Sequence, residues 1–174
     1  MYQIGEYVVC RNKGVCRLDQ ITTLDLPGVS KERKYYILKP VYAAGSTVYI
    51  PIDTDDSSLR LALSDKEANC LISSIPEIPI IPLADEKTLE TTYKEAIRQN
   101  TCEALIQLLK TLYLRKQKRI MRGAKITSLD SRYYKMAEDF LYGELSVSLS
   151  KSKEEIKSLI TATIIDTFSD CITV

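Results

Sequence analysis

The chain has 174 residues, with 24 Lys and Arg against 23 Asp and Glu for a net charge of +1, and it contains neither His nor Trp. Without imidazole there is no Ser-His-Asp or Cys-His nucleophile pair and no His metal ligand. The five cysteines, Cys10, Cys16, Cys70, Cys102 and Cys171, include no CxxC spacing, and no apolar run approaches the ~20 residues that span a bilayer, so zinc knuckles, thioredoxin-type chemistry and a helical membrane anchor are excluded.

The first 52 residues read as strands. Tyr7-Val8-Val9-Cys10, residues 15–26, residues 35–42 and residues 47–52 are rich in β-branched and aromatic side chains. Leu26-Pro27-Gly28-Val29 suits a type II turn, and Ala43-Ala44-Gly45-Ser46 supplies a second reversal. Short strands joined by tight turns predict a small antiparallel barrel. Pro40 cannot donate to a ladder, so its strand is expected at an edge or bulged there. Alternation sets Tyr35 and Tyr36 on opposite faces, which leaves open an exposed aromatic on the barrel. Strand-edge pairing onto a partner sheet is the favoured use of this module, ahead of a cage for a methylated side chain. Cys10 and Cys16 face each other across a hairpin as buried, reduced thiols. Asp53, Asp55 and Asp56 lack the Gly and distal Glu of a calcium loop and read as a solvated acidic segment.

From Ser64 the period becomes helical. Ser64-Asp65-Lys66-Glu67 is a capping box, followed by Ala68, Leu71 and Ile72 on one face. Pro76, Pro79 and Pro82 end that helix and give an extended linker over residues 75–83. Next come three further amphipathic patterns and a fourth helix: Leu89, Tyr93, Ala96 and Ile97; then Leu105, Leu108, Leu109 and Leu112 behind a Thr101 cap; then Leu129, Tyr133, Met136, Ala137, Phe140, Leu141 and Leu145 behind Thr127. Ser152-Lys153-Glu154-Glu155 opens the last, with Ile156, Leu159, Ile160 and Thr163 inward. The predicted fold class is α+β: a small antiparallel β-barrel over residues 1–60, a helix and Pro-rich linker over 61–84, and an all-α bundle over 85–174.

The total charge conceals a strong polarity. Residues 111–135 carry eight basic residues and one acid, whereas residues 53–90 carry three and nine. Arg115, Lys116, Lys118, Arg119, Arg122 and Lys125 put six cations in eleven residues with no acid among them. Macrodipole complementarity at a helix C-terminus accounts for one or two of these at ~0.3–1 kcal/mol each. Phosphate binding accounts for all six, because each neutralised phosphate releases counterions. Both a solvated cap and an anion-binding patch remain open on these residues alone. Tyr113 and Tyr133 beside the cluster read as core, and Tyr134 as an exposed contact.

Several motifs resemble the CarD/CdnL transcription regulators. They are Ile4-Gly5-Glu6-Tyr7-Val8-Val9 followed by Lys13-Gly14-Val15-Cys16, Tyr35-Tyr36-Ile37-Leu38, Val48-Tyr49-Ile50-Pro51, and Leu59-Arg60 leading into a helix. The stretch Ile126-Thr127-Ser128-Leu129-Asp130 with Ala137, Leu141, Glu144 and Leu145 is similar to that family's later helix, so the likeness runs in order over about residues 1–165. The resemblance implies a bacterial, cytoplasmic, non-catalytic protein without cofactor or metal. Its Tudor-like barrel would dock on the RNA polymerase β subunit, as does the related module of the transcription-repair coupling factor. Its helical domain would contact promoter DNA and stabilise the open complex through largely sequence-independent backbone contacts. On that basis Leu24, Tyr49, Ile50 and Pro51 are the expected polymerase contacts, and Arg115, Lys116, Lys118, Arg119, Arg122, Lys125 and Lys87 the expected DNA contacts, in a monomeric chain. Two departures stand out: Leu24 and Tyr49 replace arginines, and Glu86 falls where the family has a tryptophan that wedges beside unwound DNA. A polymerase-binding adaptor without DNA engagement is the competing expectation. A carboxylate hydrolase lacks any spaced acidic pair in a recognisable setting.

Overall fold

The computed structural model describes residues 1–25, 32–53, 58–83 and 85–172. Two compact units divide it at Ala62 and Leu63. The predicted turn at 26–29 and the acids Asp55 and Asp56 lie outside the described residues.

The first unit is a five-stranded antiparallel sheet, β1 (Tyr7–Cys10), β2 (Gly14–Thr23), β3 (Lys34–Pro40), β4 (Val48–Pro51) and β5 (Leu59–Leu61), in the order β4-β3-β2-β1-β5. Four of these strands follow from runs rich in β-branched and aromatic residues. The fifth does not, because three residues carry no period; Leu59–Leu61 is held extended by pairing Leu61, Arg60 and Leu59 with Val8, Val9 and Cys10 of β1. A turn through Asn12 and Gly14, both at positive φ, reverses the chain between β1 and β2. Pro40 sits opposite Cys16, beyond the segment of β3 that β4 covers, so its missing N–H faces an open edge. A bulge falls in β2 between Leu18 and Gln20.

The predicted closed barrel is not formed: among the described residues no ladder joins β4 to β5. Both edge strands are short, and Pro51 ends β4 without an N–H to extend it. Tyr2 spans the gap instead. Its backbone N–H donates to the Tyr36 hydroxyl (3.3 Å), its own hydroxyl donates to the Leu59 carbonyl (3.1 Å), and its ring meets Tyr36 edge-on at 5.6 Å. The core beneath holds Val8, Cys10, Cys16, Leu18, Tyr36, Leu38 and Leu59. Tyr35 and Tyr36 are both buried, so neither supplies the exposed aromatic that alternation allowed.

The Cys16 thiol is pushed up to about 12 by burial, with Cys10 nearby adding to the effect. Cys10, Cys16 and Cys102 are buried and Cys70 is exposed. In native protein a disulfide reagent should therefore label Cys70 within seconds to minutes and reach Cys10, Cys16 and Cys102 only on denaturation, as peptide mapping of the adducts will show.

The second unit contains α1 (Asp65–Ser74), α2 (Leu89–Arg98), α3 (Cys102–Met121), α4 (Ser128–Leu149) and α5 (Lys153–Ile172), with a single 3₁₀ turn at Glu86–Thr88 before α2. The capping residues act locally, as their sequence signatures require. The Ser64 hydroxyl accepts from the Glu67 N–H while Glu67 returns to the Ser64 N–H, and Thr101, Thr127 and Ser152 accept from Ala104, Asp130 and Glu155. Tyr93, Leu105, Leu108, Leu109, Leu112, Ala137, Leu141, Leu145, Ile156 and Ile160 share one core, whereas Leu159 turns to solvent.

The Pro-rich stretch is docked, not a free linker. Ile75 and Ile78 are buried in the helical core, and the Ile81 N–H donates to Thr111 at 2.8 Å. Buried Lys110 organises the junction. Its ammonium donates to the carbonyls of Ile75 (2.7 Å), Pro76 (3.2 Å) and Ile78 (2.5 Å), closing the C-terminus of α1, and lies 5.4 Å from the Phe168 ring. Burial works against the charge and lowers the lysine's pKa, and the three carbonyls supply the acceptors that a desolvated ammonium requires.

Candidate functional site

Two surfaces carry the residues singled out by sequence. On the first unit, β4 pairs with β3 on one side only, with Tyr36 opposite Ile50 and Ile37 opposite Tyr49. Period-two alternation turns Ile50 inward beside Val48 against the sheet's core and leaves Tyr49 outward at 53% exposure. Pro51 closes the strand and is half-buried. Leu24, also half-buried, follows β2 at the end of the sheet where Pro51 lies. β3 intervenes, so Leu24 and the β4 edge are separated by two strand spacings, roughly 10 Å. Of the four expected polymerase contacts, Tyr49 is the most open, and Ile50 acts mainly by holding the edge strand on its core.

On the second unit, α3 brings Arg115, Lys118, Arg119 and Arg122 to one face, since steps of three and four residues return to the same side of a helix. These four line a groove of about 310 Å³ whose other wall is Ile80, Ile81, Pro82 and Leu83. Lys116 lies elsewhere, lining a second cleft with Leu112, Ile126, Tyr134 and Lys135. Lys87 is exposed on the 3₁₀ turn, where the Asp85 carboxylate accepts from its N–H.

The cations are not equivalent. Arg115 is 15% exposed; its Nε donates to Asp130 at 2.9 Å and its terminal nitrogen to Glu86 at 2.7 Å. Burial opposes its charge, but the hydrogen bonds it donates to Glu86 and Asp130 prevail and hold its pKa up. The other Asp130 oxygen accepts from the Tyr93 hydroxyl at 3.0 Å, and that phenol is raised by burial and by the adjacent carboxylate. Thus the acid at the third position of α4 does not return to its own cap but binds Tyr93 and Arg115. Arg115 is the anchor of the basic face, not a free contact on it. Arg119 is partly committed, its Nε donating to the Lys125 carbonyl at 2.8 Å. Among the described residues no carboxylate pairs with Lys116, Lys118, Arg122 or Lys125, and all four are exposed.

The aromatic residues beside the cluster are mostly structural. Tyr113 stacks on Phe168 at 6.2 Å, and Tyr133 is buried against Tyr93 at 5.4 Å. Tyr134, expected at the surface, is partly buried against the helical core, and burial pushes its phenol up to about 12. Among the described residues no group of three or more His, Cys, Asp or Glu could hold a metal ion. Within them, too, no helix is long and apolar enough to cross a membrane.

A small antiparallel sheet with an open, aromatic-bearing edge has the form of a protein-interaction module. Residues 2–62 match the family model described as the CarD-like/TRCF RID domain. The amino-terminal unit is therefore a domain of that RNA polymerase-interacting family, which is one of protein interaction and not of catalysis. No curated protein matches the chain.

Proposed function

We propose that this chain is a non-catalytic transcription regulator. The sheet of the first unit docks on the RNA polymerase β subunit, and the basic face of the second unit contacts promoter DNA to modulate the open complex. The match of residues 2–62 to a polymerase-interacting domain carries the first half of the reading. The cluster of exposed cations on α3, with no neutralising carboxylate on Lys118 or Arg122 among the described residues, supports the second. Tyr49 and the β4 edge are the docking surface, where main-chain pairing gives affinity and the exposed ring gives selectivity, with Leu24 and Pro51 at its rim. Lys118, Arg119, Arg122, Lys125 and Lys87 face the sugar-phosphate backbone, with Arg115 fixing the helix that presents them and Lys116 reaching a phosphate from the neighbouring cleft. Backbone contacts of this kind position the protein without reading sequence.

The experiment for the docking half is co-purification of the full chain with an RNA polymerase β-lobe fragment. Tyr49→Glu, at an exposed position, is expected to abolish retention while leaving the melting temperature unchanged. A wild-type chain that fails to bind the fragment would refute the docking reading. A second reading, a polymerase-bound adaptor without DNA contact, is favoured by Glu86, whose carboxylate lies at the groove and neutralises Arg115.

A further inference from the structure

The groove on α3 has two chemically different walls, and the sugar-phosphate contacts proposed above use one of them. Lys118, Arg119 and Arg122 form the cationic wall, and Ile80, Ile81, Pro82 and Leu83 face them across about 310 Å³. Ile80 is 43% exposed, with Pro82 exposed close to it. A phosphate needs donors or positive charge, so an apolar strand held open opposite the cations offers it nothing. The strand is fixed in place as well. Lys110 pins the carbonyls just before it, at Ile75, Pro76 and Ile78, and the Ile81 N–H donates to Thr111. A wall formed before anything binds lowers the ordering cost of an occupant. At one end the groove already holds an acid: the exposed Glu86 carboxylate takes the Arg115 guanidinium at 2.7 Å. One and two helical turns further along α3, Lys118 and Arg122 continue the row, with no carboxylate on either among the described residues.

We infer that this groove docks an acidic amphipathic helix of a partner protein, with its carboxylates on Lys118, Arg119 and Arg122 and its apolar side chains against Ile80 and Pro82, and that this helix and promoter DNA exclude each other. The docking goes beyond the DNA reading above; the exclusion rests on it. Charge complementarity and the apolar wall together select this occupant, since a helix with an acidic edge beside an apolar stripe satisfies both walls at once. Carboxylates one helical turn apart, about 5–6 Å, match the spacing of the cations along α3. Strand addition does not fit, because Pro82 has no N–H for a ladder and Ile81 donates its own to Thr111. A mononucleotide finds no aromatic ring among the residues lining the groove on which to stack its base.

The test uses the full chain and a fluorescein-labelled helical peptide of about 16 residues, with glutamates a turn apart along the edge of a leucine stripe. A control peptide carries alanine in place of each leucine. By anisotropy the leucine peptide is expected to bind and to displace a labelled promoter duplex, and the alanine peptide to bind at least about tenfold more weakly. Ile80→Ser, at an exposed position, should weaken the leucine peptide about tenfold and leave DNA affinity and its salt slope at their wild-type values. Circular dichroism verifies the fold of that variant, and the peptide pair tests the apolar wall without altering the protein. Salt-dependent DNA binding by a wild-type chain that binds neither peptide, or both equally, would overturn the docking site and leave the DNA reading standing. Leucine-dependent peptide binding with no DNA binding would support the docking site and overturn the DNA reading together with the exclusion. Loss of DNA affinity in Ile80→Ser equal to its loss of peptide would assign the apolar wall to nucleic acid and overturn the docking site.

Discussion

Asp130→Ala is expected to lower the stability of the helical unit by about 3–5 kcal/mol, the range for leaving one partner of a buried ion pair uncompensated. Asp130 is 5% exposed and Arg115 15%, so solvent does little to screen the loss. Three consequences coincide: the Arg115 guanidinium keeps only the exposed Glu86, the buried Tyr93 hydroxyl loses its acceptor, and α4 loses an acid from its first turn. For a unit of this size the melting temperature should fall by about 15 °C or more. Asp130→Asn retains an acceptor for Tyr93 and should fall by less than half as much. A shift of only a few degrees in the alanine variant would mean that the network does not hold α3 to α4.

The second large effect is on nucleic acid. Lys118→Glu together with Arg122→Glu reverses two exposed charges on the groove face without touching the Arg115 anchor. Each phosphate contact contributes about 0.9 to the slope of log affinity against log salt, so the double reversal should flatten that slope by roughly 2. At low salt the affinity of the chain for promoter duplex should drop on the order of 100-fold. Exposed surface charges have little effect on folding, so thermal stability is expected to change by less than about 1 kcal/mol. An unchanged slope would remove the groove face from the DNA interface.

What could be read along the chain, and what could not, divides by the range of the interactions involved. The caps at Ser64, Thr101, Thr127 and Ser152 were legible because a cap is closed by a group three residues away. Strands β1 to β4 were legible because runs of β-branched and aromatic residues between turn residues mark a strand, although β1 and β3 bury consecutive residues and do not alternate. β5 was not, since its extended form comes from β1 and not from its own three residues. Proline spacing correctly ended α1 but said nothing of Lys110, which reaches 32 to 35 residues back to pin the segment. A lysine within Leu108-Leu109-Lys110-Thr111-Leu112 was the available signal, since an amphipathic helix does not place a solvated charge on its apolar stripe. Arg115 shows the same limit within the candidate site. Counting charges in a window found six cations without an acid, while the carboxylates that occupy Arg115 come from 15 and 29 residues away. Tyr134 was placed outward by helical phase, yet α3 and α4 pack closely enough to cover it in part.

Glu86 links the two readings of function. At the position that resembles the family's tryptophan site, an acid holds Arg115 instead of presenting an aromatic ring.

The lifetime of a preformed polymerase–promoter open complex, challenged with competitor in the presence and absence of the full chain, tests the account most directly. The account predicts a changed lifetime that returns to the polymerase-alone value with Tyr49→Glu and with Lys118→Glu and Arg122→Glu. A chain that remains bound to polymerase yet leaves the lifetime unaltered would contradict it.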